Sequence, residues 1–331
     1  MINIDGILTS AYERCASDVH LMIGFKPVFR IDGELITIEE FPIVNQEESS
    51  ELLNKILSKE ELARFNNEKE LDFSYKIKDI CRFRVNLYFE KKNLAFVARI
   101  IDNKIPTLKE LFAPDVFYDL VKRTGGLILV TGAAGVGKST LIAAMINEIN
   151  NEQNKNIITI EDPIEFIHES KNSFISQRQV GDDTLTFANA LKHVLREDPN
   201  VIVIGEMRDR ETIASAITLA ETGHLVFSTL HTISSSQTIN RIVDVFPSDQ
   251  QQQIRTQLSM SLIAVISQKL VPKKYGGRIA VREVLVNTSP IANLIRENKI
   301  SQIENIIQIN SKDGMFVMEQ DEKKLIDAGM I

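Results

Sequence analysis

The sequence predicts a small α+β domain of about 100 residues followed by a larger α/β domain with a mostly parallel sheet. Three observations carry this expectation. The length, 331 residues, suggests about two domains at roughly 150 residues each. The apolar pattern changes near residue 102, from alternation to continuous runs separated by helical stretches. A complete glycine-rich phosphate-loop pattern also stands between an apolar run and a helical one.

In the first part, Ile7, Leu8, Ala11, Tyr12 and Cys15 recur at helical spacing and predict a helix over Ile7 to Cys15. Short strands are expected over His20 to Ile23 and Val28 to Ile31. Asp32-Gly33 then reads as a tight turn into a strand at Leu35. Ser49 to Phe65 reads as a further helix. Leu71 to Ile77, Ile80 to Phe89 and Leu94 to Ile101 are rich in aromatic and branched residues and read as strands.

Asp102 to Pro114 holds Pro106 and Pro114 without a sustained apolar period, which predicts a linker. Beyond it, Leu127–Val130, Ile157–Ile160, Val201–Ile204 and Leu225–Leu230 are continuous apolar strand runs. Such runs alternating with helices imply strands buried on both faces. Gln250 to Gln253 reads as the exposed face of a helix. Lys269, Lys273, Lys274 and Arg278 around Gly276-Gly277 read as a solvated loop. From about Asn287 the pattern is helical and polar.

Composition limits the function classes. Apolar residues make up 44% and the net charge is −7. This is an ordinary globular balance, and no direct nucleic-acid contact is expected. Two cysteines, Cys15 and Cys81, are too few for a disulfide framework or a four-thiolate zinc site. The start, Met1-Ile2-Asn3-Ile4-Asp5, lacks the regions of a signal peptide. With no apolar run long enough to cross a bilayer, no transmembrane segment is expected. The expected setting is a reduced cytoplasm.

Gly132-Ala133-Ala134-Gly135-Val136-Gly137-Lys138-Ser139 fits G-x-x-x-x-G-K-[ST] at every fixed position, with Thr140 opening a helix to Ile149. The glycines let backbone N–H groups face phosphate oxygens, and the helix N-terminus adds partial positive charge. Lys138 is expected on the β/γ oxygens of ATP, and Ser139 on Mg²⁺.

Ligands of open α/β sheets lie beyond the carboxyl ends of the strands. Two acidic sets follow strands: Glu161-Asp162-Pro163-Ile164-Glu165 and Gly205-Glu206-Met207-Arg208-Asp209. Glu165 is expected as the general base and Glu206 as the metal-side carboxylate. Glu161 and Asp162 stay open between a capping and a functional role. His231, at the carboxyl end of Leu225–Leu230, is the expected γ-phosphate sensor. His224 lies at the other end, more than about 20 Å away along a straight strand, and its role is open. In Cys81-Arg82-Phe83-Arg84-Val85 the arginines share one strand face, where an anion would relieve their repulsion. Arg99 could join them.

Taken together these residues resemble the secretion-superfamily hexameric ATPases, and within them the type IV pilus retraction ATPase family. The resemblance runs along nearly the whole chain. It includes Arg30-Ile31-Asp32-Gly33, Arg82-Phe83-Arg84-Val85-Asn86, Ile158 to Phe166, Leu195 to Pro199, Ala220 to His224, Thr229 to Thr232 and Arg241 to Pro247. It implies a PAS-like domain over residues 1–101, a hinge over 102–114, a RecA-like ATPase domain over 115–286 and a helical C-terminal region over 287–331. It implies a homohexamer that hydrolyses ATP with Mg²⁺ and powers pilus retraction from the cytoplasmic side of the membrane, through an inner-membrane platform protein. The family's acidic, histidine and arginine motifs map onto Glu165, Glu206, His224 with His231, and Arg82 with Arg84. The sequence departs from the family at Ala133-Ala134, at Asn200 and within Pro290 to Glu297. Alternatives are a pilus extension or type II secretion ATPase, an auxiliary retraction ATPase, and a nucleotide-gated regulatory ring without turnover.

Overall fold

A computed structural model of the protein describes residues 3–77, 80–101 and 104–331, the side chains of 47–51 excepted. The chain divides into two compact units, Met1–Lys104 and Ile105–Ile331. Asp102 and Asn103 of the expected linker lie outside the described residues.

The first unit runs α1 (Ile4–Glu13), β1 (Asp18–Met22), β2 (Val28–Ile31), β3 (Glu34–Thr37), α2 (Gln46–Ile56), α3 (Lys59–Glu68), β4 (Glu70–Ile77), β5 (Cys81–Glu90) and β6 (Asn93–Ile101). Its strands form one antiparallel sheet in the order β3-β2-β1-β6-β5-β4. Cys81, Phe83, Val85 and Leu87 of β5 are buried with Ile4, Ile7, Leu8 and Ala11 of α1. Arg82 and Arg84 therefore take the opposite face, as the alternation predicts.

Three local differences from the sequence reading have physical causes. Asn3 caps α1, its side chain accepting from the Gly6 N–H, so the helix starts before Ile7. The expected helix over Ser49 to Phe65 is two helices. Ser58 accepts from the Glu61 N–H while Glu61 accepts from the Ser58 N–H, and this reciprocal cap starts α3 afresh. Asp32 and Gly33 have φ of 51° and 91°, the left-handed pair of a two-residue hairpin turn.

The second unit continues with α4 (Val116–Leu120), β7 (Gly126–Thr131), α5 (Lys138–Glu152), β8 (Asn156–Glu161), β9 (Phe174–Gln179), α6 (Phe187–Val194), β10 (Val201–Ile204), α7 (Arg210–Glu221) and β11 (Leu225–Leu230). Then come α8 (Ser235–Asp244), α9 (Ser248–Ser261), β12 (Leu262–Pro272), β13 (Arg278–Val286), α10 (Ser289–Arg296), α11 (Ile303–Ile309) and α12 (Met318–Asp327). The sheet order is β13-β12-β7-β11-β10-β8-β9, parallel except for β13. Alternate strand residues enter two cores. Leu127, Leu129, Ile202, Ile204 and Val226 pack against α6 to α11. Ile128, Val130, Val201, Val203 and Phe227 pack against α4 and α5. Helices on both faces explain why these strands read as unbroken apolar runs.

Strands β9, β12 and β13 were absent from the sequence expectation. Gly276 and Gly277 form the tip of the β12–β13 hairpin, and Lys269 sits within β12, paired with Glu322 at 2.9 Å. The C-terminal stretch is helical, but its apolar side is core: Ile291, Ile295, Ile303 and Ile307 are fully or almost fully buried. The glutamine run lies on α9, with Gln250, Gln252 and Gln253 exposed.

The later part of the expected linker packs on the second unit. Leu108 is buried in its core. Arg282 donates to the carbonyls of Leu111 at 2.9 Å and Phe112 at 3.2 Å. Burial pushes the Arg282 guanidinium down to about 10, against the opposing charge of Asp321. At the end of α5, the buried Asn150 accepts from the Lys171 N–H and donates to the Glu169 carbonyl, at 3.0 and 2.8 Å. Among the described residues, no helix is long and apolar enough to cross a membrane.

Candidate nucleotide site

β7 ends at Thr131 and α5 begins at Lys138, so residues 132–137 form the loop between them. Gly132, Gly135 and Gly137 have φ of 145°, 76° and 85°. These values favour glycine. At Gly132 the fit is also steric: a Cβ there would stand 2.4 Å from the Gln268 carbonyl oxygen on β12. The Gln268 side chain donates to the Val136 carbonyl at 2.7 Å. Neighbouring strand β12 therefore braces the loop from behind. Ala133, Ala134 and Gly135 face solvent, while Val136, Ser139 and Thr140 are half-buried.

Lys138 is buried, its ammonium donating to the carbonyls of Gly132 and Ala133, both at 2.8 Å. Burial holds its pKa below the usual lysine value, and the charges of Glu165 and Glu206 oppose that shift. Its Nζ stands 3.5 Å from His231 Nδ1, and His231 Nε2 stands 3.6 Å from Glu206 Oε2. Lys138, His231 and Glu206 are thus one line of charge and polarity at the carboxyl ends of β7, β11 and β10.

Glu206 follows β10 and is mostly buried, its side chain 17% exposed. The Thr229 hydroxyl donates to the Gly205 carbonyl at 2.6 Å, and the Met207 N–H donates to the Thr229 carbonyl at 3.2 Å. These bonds fix the turn. Arg208 pairs with Glu206 at 2.8 Å but is itself 74% exposed. Such an exposed pair is worth at most about 1 kcal/mol.

Glu165 is exposed on the loop after β8. That loop hangs from Glu161, whose carboxylate accepts from Thr159 Oγ1 at 2.6 Å and from Gln177 Nε2 at 3.2 Å. Burial raises the Glu161 pKa, and those hydrogen bonds oppose the rise.

The structure does not bring His224 to this site. His224 precedes β11, whose first residue pairs with Gly126 and Val201, at the opposite edge of the sheet from the phosphate loop. Its Nδ1 lies 3.1 Å from the Leu219 carbonyl and from the Thr222 hydroxyl. The strand between the two histidines is the physical reason. Within the first unit, Arg82 donates to Ser74 and Arg84 lies 4.0 Å from Asp72. Arg99 stands across from Arg84 in the register but binds Asp18 at 2.9 Å.

Sequence reasoning missed Gln177, Gln268 and the holding role of Glu161. A signal existed for Glu161, which ends a buried strand. None existed for the glutamines, whose strands were not recognised.

A glycine-rich loop between a parallel strand and a helix, with a buried lysine and a strand-end glutamate, defines a P-loop nucleotide-binding protein. The chain belongs to the type II/IV secretion system protein family, which matches residues 1–330. It is 43% identical over 330 residues to the type IV pilus retraction ATPase PilT of Pseudomonas aeruginosa, covering 100% of this chain and 96% of that one. It is 45% identical over 306 residues to a twitching motility protein of Neisseria gonorrhoeae, covering 92% and 82%. Its fold matches a crystal structure of the pilus retraction motor PilT with bound ADP at a TM-score of 0.93 and 44% identity, covering 100% and 95%. The family resemblance read from the motifs stands.

Proposed function

We propose that this chain is the ATP-hydrolysing subunit of a hexameric motor that powers type IV pilus retraction. The observation that carries this reading is the phosphate loop with Lys138, His231 and Glu206 in line, in a chain similar over its full length to a pilus retraction ATPase. Residues 132–140 cradle the phosphates of ATP. Glu165 takes the proton of the attacking water. Among the described residues no group of three or more histidine, cysteine or acidic side chains could hold a metal. Mg²⁺ is commonly shared with substrate phosphates. Ser139 and Glu206 would hold it, and the ion supplies charge neutralisation. His231, standing between Lys138 and Glu206, couples that carboxylate to Lys138 and to the γ-phosphate.

In this reading, residues 1–101 are a PAS-like domain, 115–286 a RecA-like ATPase domain and 287–331 a helical C-terminal region. A hinge over residues 102–114 links the two domains, with Leu108 of that stretch buried in the core of the second unit. Arg82 and Arg84, from a first domain, offset charge on the phosphates during transfer. The ring works on the cytoplasmic face against an inner-membrane platform protein. Arg84→Ala is expected to lower hydrolysis by the full-length assembly at least about 10-fold with unchanged melting temperature, since Arg84 is exposed and 4.0 Å from Asp72. An unchanged rate removes the arginine role. Deleting the gene and counting surface pili tests the cellular reading: excess pili without movement support retraction, and loss of pili refutes it.

A further inference from the structure

Residues 162–168, which carry Glu165, form no helix or strand. A backbone segment beside a strand end still needs partners for its N–H and C=O groups. Here side chains supply them. The Ile164 N–H donates to Gln179 Oε1 at 3.2 Å. The Phe166 carbonyl accepts from Gln177 Nε2 at 2.8 Å. The His168 N–H donates to Gln177 Oε1 at 2.8 Å. The second hydrogen of Gln177 Nε2 reaches Glu161 Oε1 at 3.2 Å.

Gln177 thus uses its oxygen and both amide hydrogens on the segment that begins at Glu161. The neighbours fix its orientation: an N–H can meet only its oxygen, and a carbonyl only its nitrogen. The parallel register explains the reach, since Gln177 stands beside Thr159 and Gln179 beside Glu161. Two residues apart, both glutamines share one face of β9.

We propose that Gln177 is a positioning residue for Glu165. By holding the Glu161 carboxylate, the Phe166 carbonyl and the His168 amide in one arrangement, it fixes the backbone from which the base reaches the attacking water. The inference rests on the assignment of Glu165 as the base. A three-way amide clamp on a short loop restricts the loop to one geometry, and misplacing a catalytic group by about 1 Å can cost about 100-fold in rate. The phosphate loop makes none of these bonds, so nucleotide affinity is independent of the clamp.

The experiment uses the full-length chain with Mg-ATP for turnover and ADP for binding. Gln177→Leu removes all three bonds. Gln177→Glu keeps the shape and one acceptor but loses both donors and sets a charge against Glu161. Both are expected to lower kcat about 10- to 100-fold, with KM for ATP and Kd for ADP within about threefold of wild type. In the Glu165→Gln background, adding Gln177→Leu is expected to cost less than about twofold more, because the clamp acts only through that side chain. The proposal is overturned by wild-type kcat in both Gln177 variants, by loss of ADP binding in both, or by a double variant slower by the full Gln177→Leu factor. A wild-type rate in Glu165→Gln alone overturns the base assignment instead, and that failure is read from a different protein.

Discussion

Two loops at the carboxyl edge of the second sheet are built by opposite means. Residues 132–137 take most of their shape from their own glycines and from the strand and helix on either side, with one brace from Gln268 of β12. Residues 162–168 take theirs from partners on another strand and at the end of the preceding one. The first loop stores most of its instructions locally, and the second borrows nearly all of them. Tolerance should differ in the same way: the phosphate loop fails where a side chain is added within it, and the base loop fails where a distant side chain is removed.

The largest effect expected from this contrast is at the base. Glu165→Gln should lower hydrolysis about 100- to 10,000-fold while ADP binding persists, because Glu165 is absent from the phosphate cradle. Steady-state turnover beside ADP titration measures both, and parallel loss of binding would merge the two loops into one unit.

The base loop should also be the acid-sensitive one. Burial, aided by Lys171, pushes His168 down to about 4. The folded protein keeps this ring neutral, while the unfolded chain protonates it below its ordinary value near 6.5. The unfolded state then binds more protons, so stability present above about pH 6.5 is lost as pH falls toward 4, by at most about 3 kcal/mol. Denaturant titrations at pH 7.5 and 5 should show this loss, and His168→Gln should flatten it. An equal slope in the variant would assign the loss to other groups.

Smaller effects test the phosphate loop. Gly132→Ala would place a Cβ against the Gln268 carbonyl, at a cost of about 1–3 kcal/mol together with weakened ADP binding. Gly135→Ala meets nothing within 4 Å and carries only the left-handed backbone cost, about 1 kcal/mol. Equal losses at both positions would mean that the close approach of β12 contributes nothing.

The contrast explains what was legible in the sequence. The phosphate loop, the Asp32-Gly33 turn and the alternation around Arg82 and Arg84 are written in neighbouring residues, and each reads correctly. Glu206 was legible because a buried strand announces its own end. β9 was not, because Ser176, Gln177, Arg178 and Gln179 form an edge strand that carries polar side chains on both faces. The partners of Gln177 lie from 9 to 16 residues away in the chain. The reciprocal cap at Ser58 and Glu61 was legible in principle. The apolar spacing on either side ran through it and masked the break. The C-terminal helices also read as more polar than they are, because each buries only part of its surface.

One further feature joins the contrasting loops. Helix α5 starts in the phosphate cradle at Lys138, and about 18 Å along its axis Asn150 grips the backbone at Glu169 and Lys171. Those residues follow directly on the segment that carries the base. The cradle and the residues that trail the base loop therefore hang from the two ends of one helix, which sets the distance between them.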